Sequence, residues 1–313
     1  MELRIGAIQM ASGNGDIEGN LRRAVPLVAD AAARGAQLIC LPEFLPSGYL
    51  FEEACWRAAE KNNGLTIQWL AEQARRLNVT LGTSFLEADG DDFKNVFVLM
   101  GPEKEYGRVY KQDIALYENF FMTGQAGPHV IETPFGKIGV GICYENLRSF
   151  LSRLLVEGDV DLLLQPHSCP GFPNSLPGPL KVHLEREIGD TSRRYAEQLG
   201  IPTVFVNKCG TFDSPTPLFP RLRLKVPFLG CTSITDSDGK VLAKADEGQA
   251  VLVATVKVDP ARKTRKPLPA RGPWANGLPW YALKFMEYIN NRGRKSYRRN
   301  PRRAAASRNI QGS

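Results

Sequence analysis

Histidine and closely spaced cysteine are scarce in this chain. Its 313 residues include only three histidines, His129, His167 and His183, none at the i, i+4 spacing that puts two imidazoles on one helix face. Six cysteines (Cys40, Cys55, Cys143, Cys169, Cys209, Cys231) are too dilute for a disulfide framework, and no two stand in the C-x-x-C spacing of zinc or redox sites. The expectation is metal-free chemistry without a cofactor, in a reducing compartment. No apolar run reaches the ~18 residues of a membrane span, and the opening MELRIGAIQM is too short and interrupted for a signal peptide. A cytoplasmic protein with no membrane partner is expected. The phosphate loop G-x-x-x-x-G-K-[ST] and the serine elbow G-x-S-x-G are missing, and Gly139-x-Gly141 lacks the third glycine of a dinucleotide fingerprint.

What is present is an ordinary globular balance, 43% hydrophobic and 23% charged, with the charge unevenly placed. The net charge is +7, but residues 260–313 hold 14 Lys/Arg against the single acid Glu287, so residues 1–259 carry −6. Residues 1–259 therefore read as one acidic domain, and 260–313 as a basic extension with a helical start and a flexible end. Eight of its basic residues crowd into Arg292 to Arg308, with few large apolar partners. Such a run can grip nucleic acid through phosphates. Terminal charge runs more commonly stay solvated or lie on a neighbouring subunit, so a nucleic-acid partner is disfavoured.

Periodicity alternates along the body. Leu3 to Met10 reads as a strand, Asn20 to Arg34 as a helix with Gly35 as its stop, and Ala36 to Leu41 as a second strand, a β-α-β opening. A helix through Ile67, Leu70, Ala74 and Leu77 precedes strands Val79–Glu87 and Asn95–Met100, joined by Asp89-Gly90-Asp91. Strands at Lys137–Ile142, Asp161–Gln165 and Ile201–Asn207 alternate with helices at Ser149–Glu157 and Leu180–Leu199. Gly230–Thr235 and Ala250–Val258 bracket Asp238-Gly239 as a closing hairpin. The pattern calls for an α/β fold, sheet covered by helices.

In such folds functional groups gather at the carboxyl ends of strands. Glu43 follows the strand ICLP, Cys143 follows KIGVGI, and Lys111 lies in GRVYKQD. Each alone has a dull explanation: a buried cysteine, a loop acid, a solvated lysine. Together they supply a nucleophile, a proton carrier and a cation for an oxyanion. A lysine beside the cysteine favours thiolate, and a partly buried glutamate exchanges protons near neutrality. The turn GICYEN sets the sulfur at a strand-to-helix junction where following N–H groups face a developing oxyanion.

On LPEF around Glu43, GRVYKQDIALYENFFMTG around Lys111 and TPFGKIGVGICYENL around Cys143, the sequence resembles the nitrilase or carbon–nitrogen hydrolase superfamily over roughly residues 3–258. The resemblance implies an α-β-β-α sandwich that assembles into homo-oligomers. It implies Cys143 as nucleophile, Glu43 as general base and acid, and Lys111 as oxyanion stabiliser, aided by the Tyr144 N–H. Glu118 matches a second glutamate of many members, although its spacing to Gly124 is shorter than usual, and Glu145 is a rival for that role. By loop position Tyr49, Phe120, Phe121, Tyr144, His167 and Ser168 are candidates for the pocket mouth, with core packing as the alternative for the aromatics, and Asn207 matches a polar position that faces substrate or caps a strand. The implied reaction cleaves a small amide or N-carbamoyl compound through a thioester. A nitrilase reaction uses the same triad, and a non-enzymatic binding protein using its basic tail is the other alternative. A Cys-His amidotransferase is disfavoured because Glu145 stands where its second glycine belongs.

Overall fold

The computed structural model describes residues 1–275 and 277–312. Strand β1 (Glu2–Gln9) leads through helix α1 (Ile17–Ala33) to β2 (Leu38–Cys40), and α2 (Leu65–Leu77) leads to β3 (Thr80–Asp89), so β1, β2 and β3 pair in parallel. The Asp16 carboxylate caps α1 by accepting from Gly19 N, and Gly35 takes φ +84° where the helix stops. β4 (Asp92–Met100) and β5 (Glu105–Tyr110) extend this sheet as antiparallel strands.

A second sheet repeats the plan. β6 (Val130–Thr133) pairs antiparallel with β7 (Gly136–Val140); then α3 (Ser149–Glu157), β8 (Leu162–Pro166), α4 (Gly178–Gly189), α5 (Thr191–Leu199) and β9 (Thr203–Val206) place β7, β8 and β9 in parallel. The hairpin β10 (Thr211–Thr216) and β11 (Phe219–Pro227) stands apart, and β12 (Ser233–Thr235), β13 (Val241–Lys244) and β14 (Ala250–Lys257) close the body. The strand orders are β14-β1-β2-β3-β4-β5 and β13-β12-β9-β8-β7-β6.

Inward residues of both sheets, among them Ile5, Leu38, Phe97 and Val109 against Val140, Leu164, Val206 and Ile234, form one buried core. The opposite face of the first sheet packs on α1 and α2, and that of the second on α3 and α5. The order of layers is helix, sheet, sheet, helix, the α-β-β-α sandwich expected.

Three local readings differ from the structure. The closing hairpin is β12–β13, while β14 crosses to the first sheet and pairs with β1, Leu3 opposite Val256. Alternation in the sequence identifies both strands but not which sheet each joins. The single helix expected over 180–199 is two, divided at Asp190. The expected flexible end is helical: α6 (Trp280–Arg299) and α7 (Arg302–Gly312) fold back on the body.

Apolar contact and charge together dock this polar segment: Tyr297 is buried in the aromatic cluster, and Ala306 and Ile310 pack against it. Arg302 meets Glu53 at 2.8 Å, Arg308 meets Asp91 at 3.2 Å, and Arg303 pairs with Asp92, so the turn at the β3–β4 junction supplies counter-charges. Tyr297 OH accepts from Phe93 N at 2.9 Å. Gly293 permits the close approach of α6, since a Cβ there would lie 2.6 Å from Asn119 Cβ. Asn290, buried at the same contact, accepts from Asn119 Nδ2 (3.1 Å) and donates to Tyr144 OH (2.9 Å).

Candidate active site

The thiol sits on an elbow. β7 ends at Val140, and Cys143 opens the 3-10 segment Cys143–Leu147 with φ +51°, a backbone state that costs a side-chain-bearing residue ~1–3 kcal/mol. Its neighbours hold it there. Asn146 Nδ2 donates to Gly141 O (2.7 Å) and Cys143 O (2.9 Å), and Gln165 Nε2 fixes Asn146 Oδ1 at 2.8 Å. Gly141 is required because a Cβ would come within 2.5 Å of that Oδ1. The Glu145 carboxylate points back into the fold, accepting from Ile142 N (3.0 Å), Gln112 N (2.7 Å) and Asp113 N (3.3 Å), with His129 Nε2 at 3.1 Å. Glu145 therefore ties the elbow to the loop after β5.

Glu43, after β2, and Lys111, at the end of β5, come together from the first sheet. Lys111 Nζ donates to Glu43 Oε1 at 2.7 Å and to Glu118 Oε2 at 2.8 Å, and all three side chains are fully buried. Asn95 Nδ2 shares Glu43 Oε1 (2.7 Å), and Ser168 N donates to Oε2 at 2.8 Å. Tyr49 OH donates to Glu118 Oε1 at 2.6 Å, its ring packed between Phe44, Phe51 and Phe212.

Electrostatics sort the protons. Burial works to lower the Lys111 ammonium, but the Glu118 and Glu43 carboxylates overcome it and hold the lysine well above its usual range. Burial raises Glu43, opposed by Lys111 and reinforced by Glu118. Burial and then the Glu43 charge push the Cys143 thiol well up, and Lys111 offsets only part of this. This direction runs against the expectation that a lysine beside the cysteine favours thiolate, because burial and the Glu43 charge outweigh Lys111.

The remaining candidates divide. Tyr144 lies in the first turn of the 3-10 segment, where N–H groups lack intrahelical acceptors; its ring turns away to pack edge-on against Trp274. Phe121 is buried and Phe120 half-buried against the aromatic cluster around Tyr49. Asn207 is spent on structure, bonding Cys169 N at 2.9 Å and Cys169 O at 3.2 Å. His167 is buried with Nδ1 2.8 Å from Gln165 O and its ring on Phe205.

Burial pushes His167 down to about 3 from 6.5. Between those values the unfolded chain binds a proton that the folded chain refuses, so stability falls as pH drops from ~6.5 toward ~3. His167→Gln, unable to titrate, is expected to lose less stability over that window; parallel urea midpoints for both proteins at pH 7 and 4.5 would contradict this.

Asn95, Ser168 N–H and Lys208 are the groups at the site to which sequence reasoning gave no role on Glu43. Asn95 carried a faint signal as a polar residue opening the apolar run VFVLM; Lys208 carried none.

Comparison with known proteins bears on this geometry. The model of the carbon–nitrogen hydrolase family matches residues 4–266. The chain is 27% identical over 277 residues to N-carbamoylputrescine amidase of Arabidopsis thaliana, covering 85% of this chain and 90% of that protein. It is 30% identical over 205 residues to a nitrilase of Pyrococcus abyssi, covering 64% and 78%. The crystal structure of a carbon–nitrogen hydrolase from Helicobacter pylori superposes with a TM-score of 0.68 at 18% identity, covering 96% of each chain.

Proposed function

Because this chain belongs to the carbon–nitrogen hydrolase family, we propose that it hydrolyses a small amide or N-carbamoyl compound through a thioester on Cys143. One observation carries the reading: a fully buried lysine bonded to two carboxylates, Glu43 and Glu118, beside a thiol on a left-handed elbow. Glu43 takes the thiol proton as Sγ attacks the carbonyl carbon, and Lys111 Nζ with the Tyr144 N–H holds the oxyanion. Collapse breaks the C–N bond, and Glu43 passes its proton to the departing nitrogen. Water, deprotonated by Glu43, then cleaves the thioester and the proton returns to sulfur. Glu118 fixes Lys111 and, held by Tyr49, orients the substrate or water.

The test is ammonia release from a panel of amides, N-carbamoyl compounds and nitriles, with intact mass after acid quench. An acyl adduct on Cys143 with the preferred amide supports the reading; turnover of nitriles alone replaces it with the nitrilase reaction, and turnover of nothing leaves a binding protein. Tyr49→Phe removes one hydrogen bond to the buried Glu118 carboxylate, worth ~1.5–3 kcal/mol, and is expected to lower kcat ~10-fold and to lower urea stability by a comparable amount. An unaltered kcat would remove Tyr49 from the machinery.

The reading includes a reducing, cytoplasmic setting, supported by six free cysteines, while no helix among the described residues is long and apolar enough to cross a membrane. It also includes self-association, supported by Val182 on α4 and Trp280 and Phe285 on α6, which stand 64%, 75% and 59% exposed. Light scattering that finds only a 34.6 kDa species would end that part.

A further inference from the structure

Glu43 and Cys143 belong to different sheets, the acid following β2 and the thiol following β7. Their mutual placement depends on what ties the sheets together at this end of the sandwich. Four side chains grip the backbone around Glu43: Thr83 Oγ1 donates to Pro42 O (2.8 Å), Ser168 Oγ to Glu43 O (2.5 Å) and Lys208 Nζ to Phe44 O (2.8 Å), while Ser84 Oγ accepts from Phe44 N (3.0 Å). Thr83 and Ser84 lie on β3 of the same sheet, whereas Ser168 and Lys208 follow β8 and β9 and reach across from the other. Phe44 has φ +50°, a conformation that side chains rarely adopt and that must be held.

Lys208 is the costly member of this set. It is completely buried, none of the ion pairs among the described residues includes it, and its ammonium lies 6.0 Å from the Phe228 ring centroid. Burial lowers it to about 7. An apolar side chain of similar size would fill the space without the penalty of burying a cation that only the Glu43 charge and the Phe228 ring compensate. Stability therefore does not account for a lysine here, and the hydrogen bond of its ammonium to the residue after the acid does.

We propose that Lys208 is a positioning residue: by bonding Phe44 O from the opposite sheet it fixes the left-handed turn that sets Glu43 against Cys143. This rests on the reading of Glu43 as the base. Lys208→Met keeps most of the stem, one atom shorter, and removes the donor. With the best amide of the panel, kcat is expected to fall ~10- to 100-fold, as for a misplacement of about 1 Å, with KM within about twofold. Alkylation of Cys143 by iodoacetamide, which needs the same base, slows in parallel, while the urea midpoint stays level or rises. A structural role alone would lower the midpoint and leave the folded protein's kcat and alkylation rate intact, and that result overturns the proposal. Should Lys208→Met fail to fold, Ser84→Ala frees the other side of Phe44 with a smaller change, and a wild-type kcat there overturns it equally. Glu43→Gln separates the two levels: if it stays active the base assignment fails, and if it is inert while Lys208→Met matches wild type, only the positioning role fails.

Discussion

Replacing Cys143 by alanine is expected to reduce ammonia release from the preferred amide by at least ~10⁴-fold, to near the uncatalysed background, with the fold intact. Burial raises Cys169 and then the charge of its neighbour Cys231 adds to it, and burial pushes Cys231 up to about 11. Cys143 is raised too, so what distinguishes it is not a low pKa but its hydrogen bond to Glu43, the proposed acceptor of its proton. Iodoacetamide should therefore modify Cys143 first in the native protein, and Glu43→Gln should slow that modification sharply. A site resting as a thiolate–cation pair would behave otherwise, its alkylation indifferent to Glu43→Gln. Activity surviving in folded Cys143→Ala, or a first adduct on Cys169 or Cys231, would remove the nucleophile assignment.

Much of this was legible because strand ends leave marks. Glu43 and Cys143 each follow an apolar run closed by a turn, and in both halves of the sandwich the parallel strands carry their loops to one end. The choice between Glu118 and Glu145 was not legible. Both are glutamates one short segment beyond a reactive residue, and only the direction of each side chain separates them: one turns to Lys111, the other to backbone N–H groups and His129. Direction is set by the loop after β5, whose conformation no periodicity encodes. The tail was misread for a related reason. Composition reports that Arg292 to Arg308 has no apolar face to bury, but its acidic partners Asp91, Asp92 and Glu53 lie some 200 residues or more away in sequence, and charge pairing at that distance has no local signature. Lys208 is the extreme case, a lysine in the strand-end peptide VNKCG whose burial contradicts every composition rule.

Lys111→Met should have the second large effect, and on two observables at once. Activity falls ~10²- to 10³-fold from loss of the oxyanion's cation alone. Stability falls as well, because Glu43 and Glu118, both within 2.8 Å of one nitrogen, are left as buried carboxylates without their shared counter-ion, a change that ordinarily costs ~3–5 kcal/mol. The sign with pH follows from the direction of Glu43. Burial already raises it in the native protein, and removing Lys111 takes away the group that opposes this. An acid whose folded pKa lies above its unfolded value of ~4.3 costs stability once the pH passes that value, fully so above the folded pKa. The deficit of Lys111→Met against wild type should thus be small below pH ~4.5 and widen toward neutrality. Adding Glu118→Gln removes one of the facing charges and should recover much of the stability at pH 7 while leaving activity lost. A deficit independent of pH would mean that Lys111 acts through packing rather than charge, and recovery of activity in the double variant would mean that the oxyanion is held by something else.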